Sequence, residues 1–242
     1  MINSFTFNNI CTADYGLYVG GQRTFNSPQR DVTKVSIPGR NGDLVRDNGR
    51  FLNVEVAYTV VIMPDSIPAD FAEATKNLKA DLLSVKGYAR LEDTYQPDHF
   101  RLARVSGAVD FETGAYNLHG KTQVVFDCMP QLWLKAGETA QTFSASGTIN
   151  NPTAFDAKPL IRVNGSGDCS VTIGNQIITI SDVDGYVDID CETMNCYNGI
   201  ENCNSKVTLG NQGFPVLPHG NTGIDFGGGT TSVVITPRWW TI

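Results

Sequence analysis

The stretch Asn53–Met63, with the sequence NVEVAYTVVIM, carries the strongest strand signal in the first half of the chain. Its apolar residues recur at every second position, and one face consists of Val54, Val56, Tyr58 and Val60. A period of two is typical of a β-strand with one buried face. The stretch therefore predicts a sheet in this half of the protein.

A single amphipathic helix is predicted directly after this strand, over Pro68–Lys86. Pro68 suits the first helical turn, because its missing N–H would be unpaired there. Gly87 follows where a left-handed residue commonly ends a helix. The apolar stripe recurs at three- and four-residue spacing and consists of Phe71, Ala74, Leu78, Leu82 and Val85. We expect this helix to pack on the sheet.

Further strand signals are spread along the chain. In the first half they cover Phe5 and Phe7, Tyr88–Glu92, Arg101–Val105, Ala108–Glu112 and Lys121–Cys128. In the second half short strands are predicted at Leu160–Val163, Ser170–Ile173, Gln176–Ile180, Tyr186–Ile189 and Ser232–Thr236. The dipeptides Gly174-Asn175 and Asp184-Gly185 predict tight hairpin turns.

These elements predict a mainly β protein with one helix and two domains. Residues 1–135 are expected to form an α+β domain containing helix 68–86. Residues 136–158 are small and polar, which is typical of an interdomain linker with at most one short strand. Residues 159–242 have the size and turn spacing of a β-sandwich, whose last strand is placed to pack back on the first domain.

The charge balance excludes several classes of partner. The chain of 242 residues has a formal net charge of -7. Tight DNA binding depends on cationic side chains, as does attraction to anionic membranes. No stretch approaches the roughly 18 to 20 apolar residues of a membrane helix, and the opening residues lack a secretion signal. We therefore expect a protein made in a cytoplasm that binds neither nucleic acid tightly nor a membrane.

Patterns typical of catalysis are absent from the sequence. The three histidines are widely spread and lack the spacing of a helix-borne zinc site. No Gly-x-Ser-x-Gly elbow and no local Cys–His signature occurs. Gly165–Cys169 lacks the third glycine of a dinucleotide loop, and Gly227–Gly229 predicts a flexible turn because no Lys-Ser/Thr follows it. The sequence predicts neither an enzyme nor a cofactor site.

Cysteines and carboxylates have plain structural interpretations. Cys191, Cys196 and Cys203 are expected to be buried free thiols in a reducing compartment, with a structural metal or a disulfide left open. The acidic run over residues 182–190 does not match calcium-loop spacing, and it predicts a strand with a solvated acidic face. Asp110 and Glu112 share one strand face as exposed acids.

The chain ends in an unusual apolar segment, Pro237–Ile242, with the sequence PRWWTI. Adjacent residues on a strand point to opposite faces. One of Trp239 and Trp240 is therefore expected to enter the core, and the other is a candidate for a domain or subunit contact.

The segment Val35–Leu44, with the sequence VSIPGRNGDL, and the motifs around it resemble the distal tail protein (Dit) family of long-tailed phages. The other motifs, in chain order, are Phe5-x-Phe7-Asn8, Asp14–Leu17, Gly49–Phe51, Phe126-x-Cys128-x-Pro130, Asn151-Pro152, Lys158–Ile161, Asp188-x-Asp190 and Gly213–Asn221. The resemblance spans nearly the whole chain in the expected order. The cysteines of the second half are not part of it.

This resemblance implies a structural protein of the virion, assembled in the bacterial cytoplasm. Six copies are expected to form a ring, built by the N-terminal domain, that joins the tail tube to the tail tip or baseplate. DNA passes through the ring, and the C-terminal domain is a galectin-like β-sandwich. The candidates for interaction are Pro38, Gly39, Arg40, Asn41 and Gly42 in the loop, and Trp239 and Trp240 in the tail.

Two other function classes stay open on sequence grounds. The second domain is alternatively a carbohydrate-binding adhesion module for a host-surface glycan, although no aromatic and polar platform for a sugar is evident. A small glycosidase or esterase on a β-sandwich is the third and weakest hypothesis.

Overall fold

The computed structural model describes residues 3–21, 24–62, 71–113, 120–210 and 213–242. The chain divides into two compact units, one formed by Met1–Leu132 with Ile242 and the other by Trp133–Thr241. The predicted fold class is confirmed, since the protein is mostly β with a single α-helix among its described residues.

The described residues of the first unit form ten strands and the helix. In chain order they are β1 (Phe5–Phe7), β2 (Ile10–Cys11), β3 (Leu17–Val19), β4 (Arg30–Val35), β5 (Leu44–Phe51), β6 (Val54–Ile62), α1 (Phe71–Ser84), β7 (Ala89–Asp93), β8 (His99–Val105), β9 (Glu112–Thr113) and β10 (Gly120–Cys128). Seven of the strands form an antiparallel sheet in the order β2-β1-β7-β8-β10-β6-β3, and β9 pairs with β10.

The core of the first unit follows from the alternation in β6. Its predicted inner face is buried as expected, at Val54, Val56, Tyr58 and Val60. β10 pairs antiparallel with β6, with Phe126 opposite Val56. Phe126 lies 5.3 Å from Phe5 and 5.1 Å from Phe7 between ring centroids. An aromatic cluster thus fills the space on this face of the sheet.

Helix α1 confirms the predicted amphipathic helix, with Ala74, Leu78 and Leu82 buried. It ends at Ser84, two residues earlier than predicted, and Gly87 has the expected positive φ of 82°. The predicted start at Pro68 lies outside the described residues. The strand predicted at Ala108–Glu112 is wrong for most of its length, because only Glu112 lies in a strand.

The second unit begins within β11 (Leu132–Leu134), which pairs with β20 (Trp240–Thr241). Its main sheet has eight strands: β12 (Gln141–Phe143), β13 (Gly147–Asn151), β14 (Leu160–Ile173), β15 (Gln176–Asp190), β16 (Asn195–Asn198), β17 (Glu201–Asn202), β18 (Val207–Leu209) and β19 (Gly220–Thr236). Residues from both halves of β14, such as Ile161 and Val171, meet in one buried cluster.

Three strands of this unit are much longer than predicted. β14 and β15 each join two of the expected short strands, and Gly174-Asn175 forms the predicted turn between them. Asp184-Gly185 is not a hairpin turn, because it lies within β15 opposite Gly165 and Ser166. The register of the β14–β15 pair shifts between Gly167 and Cys169, as at a β-bulge, and the two strands remain paired on both sides of the shift.

The glycine segment Gly227–Gly229 is not a flexible turn either. It lies within β19, where it pairs antiparallel with β14. A Cβ added to Gly229 would lie 1.8 Å from the carbonyl oxygen of Ser166, and one added to Gly165 would lie 2.4 Å from the carbonyl oxygen of Gly229. Glycine is therefore required here because the two backbones approach too closely for any side chain.

The segment 136–158, predicted to be a linker with at most one strand, supplies both β12 and β13. Each pairs antiparallel with β19, as in the pairs of Thr142 with Val234 and of Ile149 with Thr222. Ile149 is buried in the core of the unit. The polar composition hid these strands, since most of their side chains face away from the core.

Candidate interaction surfaces

A two-stranded hairpin, β4 with β5, carries the loop singled out in the sequence. Its strands pair only with each other in the described structure, with Val35 opposite Leu44. Two ion pairs join the strands at the base of the hairpin. Arg50 Nε lies 2.6 Å from Asp31 Oδ2, and Arg30 Nη1 lies 3.1 Å from Asp47 Oδ2. The guanidinium of Arg30 also lies 4.4 Å from the ring centroid of Phe51.

The predicted loop residues all lie at the exposed tip of this hairpin. Gly39 and Gly42 have φ values of 78° and 82°, which glycine adopts at little cost. The N–H of Arg40 donates to the carbonyl oxygen of Ile37 at 3.1 Å and closes a turn. The tip is therefore a loop with a defined turn, and it exposes Arg40 and Asn41 to solvent.

Apolar side chains are exposed on both faces of the same hairpin, with Val35 and Leu44 on one face and Val45 on the other. Val45 is 56% exposed and Leu44 50% exposed, and Val35 and Ile37 are also exposed. Such clustered apolar exposure marks contact surfaces more often than isolated exposed residues do. The segment Val35–Leu44 singled out in the sequence ends on Leu44, but no periodic pattern in the sequence predicted that Leu44 and Val45 are exposed.

The hairpin also differs in charge from the remainder of the chain. Residues 30–51 contain five basic and three acidic side chains, a net charge of +2. Since the whole chain has a net charge of -7, the residues outside the hairpin have a net charge of -9. Lys34, Arg40 and Arg46 make no ion pair with any residue that the structure describes. Their charges are therefore available to an acidic surface.

The two tryptophans of the tail occupy different environments. Trp239 is buried in the core of the second unit. Trp240 is half-buried, with its ring 4.4 Å from that of Phe155 in a stacked arrangement and its Nε1 donating to the Asp156 carbonyl oxygen at 3.0 Å. The Phe155 ring covers one face of Trp240, so less of this side chain is available for a contact than the sequence indicated.

Two carboxylates of the acidic run are buried, which corrects the prediction of a solvated acidic face. Asp188 accepts two hydrogen bonds from Arg162, at 2.7 and 2.8 Å. Asp190 accepts two from Arg238, at 2.6 and 3.2 Å. Arg162 lies directly opposite Asp188 on the neighbouring strand β14, and Arg238 reaches Asp190 from the segment between β19 and β20. Both pairs were missed because nothing local relates an aspartate to an arginine 26 or 48 residues away.

Burial opposes ionisation of Asp190, but its neighbours outweigh that effect. The hydrogen bonds and charge of Arg238, together with the N–H groups of Glu192 and Thr193, hold the pKa of Asp190 below its usual value. Arg238 has a positive φ of 59°. This strained backbone is tolerated because the ion pair and the hydrogen bond from its N–H to the Gly137 carbonyl oxygen, at 2.8 Å, fix the residue.

All six cysteines are free thiols in the structure, and Cys191, Cys196 and Cys203 belong to one buried cluster. Burial raises the pKa of Cys191 to about 12 and that of Cys196 to about 11. A neutral thiol is a poor metal ligand. Within the described ranges, no group of three or more His, Cys, Asp or Glu side chains is arranged to hold a metal ion.

Asp110 and Glu112 line one open groove together with Lys121. Glu112 Oε2 lies 3.4 Å from Lys121 Nζ, and both side chains are mainly exposed. This arrangement is that of solvated surface acids. In the part of the chain that the structure describes, no helix is long and apolar enough to cross a membrane.

Comparison with known proteins finds similarity in structure alone. No family model matches the sequence, and no curated protein matches it. The SPP1 phage Dit protein, described as a paradigm of the hub adsorption apparatus of phages infecting Gram-positive bacteria, superimposes with a TM-score of 0.78 at 13% identity, over 100% of both chains. A chain of the phage P2 baseplate gives a TM-score of 0.52 at 9% identity, over 97% of both chains.

The likeness to SPP1 Dit covers both units from end to end, and it agrees with the family resemblance that the ordered sequence motifs indicate. At 13% identity it bears on the fold. The chain therefore has the fold of a phage distal tail protein.

Proposed function

We propose that this protein is a structural component of a phage tail, a hub that joins the tail tube to the tail tip or baseplate. The observation that carries the proposal is the full-length likeness to SPP1 Dit, a hub protein, with a TM-score of 0.78. A hub acts through its surfaces and needs no catalytic group. The protein would then be assembled in the host cytoplasm and carried in the virion at the tail tip.

Ring closure requires a surface that meets a different surface on the next copy. We infer that the hairpin β4–β5 is one of these two surfaces. A lone two-stranded hairpin is marginal in water, and this one exposes apolar side chains at Val35, Leu44 and Val45. Its net positive charge complements the acidic remainder of a second copy. We infer that the first unit forms a ring of six copies through this hairpin.

The charge of the chain also suits a channel for DNA. A net charge of -7 disfavours retention of the polyanion, and a passage for DNA must not hold it. The remaining partners in this proposal are the tail tube protein and a tail-tip protein on the two sides of the ring.

The test is the mass and symmetry of the purified protein. Native mass spectrometry and negative-stain images, recorded at high protein concentration and with the tail tube protein added, are expected to show six-fold rings. A monomer under both conditions would overturn the hub proposal. Specific binding of residues 133–242 on a glycan array would support the carbohydrate-binding alternative in its place.

A further inference from the structure

Two cysteines lie beside each other at the open end of the hairpin β16–β17, Cys196 within β16 and Cys203 directly after β17. Tyr197 pairs with Asn202 and Asn198 with Glu201, so the next position in this antiparallel register pairs Cys196 with Cys203. The N–H of Cys203 donates to the carbonyl oxygen of Cys196 at 2.8 Å, which confirms that the two backbones are adjacent there.

The geometry of such a pair suits a covalent bridge. Directly opposite residues of an antiparallel pair have Cα atoms about 4.5 to 5.5 Å apart, within the range of about 4.4 to 6.8 Å found in disulfides. Burial and, in addition, the thiol of Cys203 raise the pKa of Cys196, so the two side chains are near each other. Both side chains are buried in one cluster, with Cys196 at 1% and Cys203 at 2% exposure.

Cys191 is less well placed to compete. Cys196 lies opposite Ile189 on β15, and Cys191 follows Ile189 by two positions. A diagonal neighbour of this kind is separated by about 7 to 8 Å, beyond the reach of a disulfide without backbone movement. The register therefore selects one partner for Cys196 among the buried thiols.

We propose that Cys196 and Cys203 form an intramolecular disulfide when the protein meets a low-molecular-weight disulfide such as oxidised glutathione. One cysteine thiolate attacks a sulfur of glutathione disulfide, forms a mixed disulfide and releases one glutathione thiolate. The second cysteine thiolate then attacks the protein sulfur of that mixed disulfide and releases the second glutathione. The two protein thiols are oxidised, one glutathione disulfide is reduced to two thiols, and the two thiol protons go to solvent or to glutathione.

Access to the buried thiols comes from the position of the hairpin. β17 has two residues and lies at the end of the strand order, and among the described strands it pairs with β16 alone. Short edge elements open locally far more often than core strands do. Because burial raises the pKa of Cys196 to about 11, the reaction is expected to accelerate with rising pH and with mild denaturant. This inference rests on register and burial, and it does not depend on the hub function.

The experiment maps the bridge in the full chain. The protein is incubated with oxidised glutathione at pH 8.5, with and without urea below the unfolding range, then alkylated and digested with a protease that cleaves after glutamate. Cleavage after Glu138, Glu192 and Glu201 leaves Cys196 alone in residues 193–201 and Cys203 alone in residues 202–242, while Cys169 and Cys191 remain in residues 139–192. Mass spectrometry without reduction is expected to show 193–201 joined to 202–242.

Two variants sharpen the result. Cys191→Ala is expected to keep the bridge, whereas Cys203→Val is expected to abolish it. The oxidised wild-type protein should unfold about 5 to 10 °C higher than the reduced protein, and Cys203→Val should show no such shift. A bridge to residues 139–192, or only alkylated and glutathionylated cysteines under both urea conditions, would overturn the proposal.

Discussion

Arg238 and Asp190 are joined by two hydrogen bonds, 2.6 Å from Nη1 to Oδ1 and 3.2 Å from Nη2 to Oδ2. They are 48 residues apart in the chain. Their side chains are 27% and 9% exposed, so the pair is largely removed from water. This contact joins the segment before β20 to the end of β15, and it contributes to the stability of the second unit.

Arg238→Ala is expected to lower the free energy of unfolding of the second unit by about 2 to 3 kcal/mol, because Asp190 would remain buried without its partner. Denaturant titration measures the change. Lys158→Ala is the matched control, since Lys158 lies 3.8 Å from Glu192 with both side chains nearly half exposed. That change should stay within about 0.5 kcal/mol. Equal effects of the two substitutions would contradict the assignment.

The same ion pair predicts a dependence of stability on acid. The folded pKa of Asp190 is below its unfolded value of about 3.9, so its stabilisation is fully present above about pH 4 and is lost as the pH falls through the folded pKa. Asp190→Asn removes this titration. The difference in unfolding free energy between wild type and Asp190→Asn should shrink from pH 6 towards pH 2. A constant difference across that range would refute the prediction.

The close approach of β14 and β19 predicts opposite results for two glycines of one strand. Gly229→Ala is expected to cost about 3 kcal/mol of stability, because the new Cβ would overlap the Ser166 carbonyl oxygen at 1.8 Å. Gly223→Ala should change stability by less than about 0.5 kcal/mol, since nothing lies within 4 Å of its Cβ position. Thermal unfolding of the two variants compares them directly. Similar melting temperatures would be inconsistent with this packing.

The hairpin contact predicts a variant that folds but does not assemble. Val45→Asp is expected to abolish ring formation, because it places a charge in the apolar contact, and to change stability by less than about 0.5 kcal/mol since the side chain is exposed. Ile177→Asp is the control, as Ile177 is 59% exposed on the second unit. Native mass spectrometry and circular dichroism separate assembly from folding. If the Val45→Asp variant still forms rings, the contact between copies does not involve this hairpin residue, and the prediction is wrong.

The negative charge predicts that DNA is not retained. Double-stranded DNA should show no mobility shift with this protein at about 0.15 M salt, because the net charge of -7 opposes binding of a polyanion. A basic DNA-binding protein of similar size serves as the positive control. A shift that persists at this salt concentration would argue against a passive channel.

Local patterns were enough to predict much of the first unit. The alternation in β6 predicted its buried face, and three- and four-residue spacing predicted α1. Both signals depend on neighbours within one turn or one strand, so they are visible in the sequence. The motifs around Pro38–Gly42 likewise indicated the family whose fold the structure shows.

The second unit depended on pairings between distant residues. Glycines at 165 and 227–229 have the composition of turns, yet they lie in strands because the backbones of β14 and β19 meet there. Asp188 and Asp190 have the spacing of solvated acids, yet they are buried because Arg162 on β14 and Arg238 in the segment before β20 pair with them. The sequence alone determined the class of fold and its periodic elements. Only the tertiary structure decided which predicted turns lie within long strands and which charged side chains are buried. Both outcomes depend on groups that are brought together only when the chain is folded.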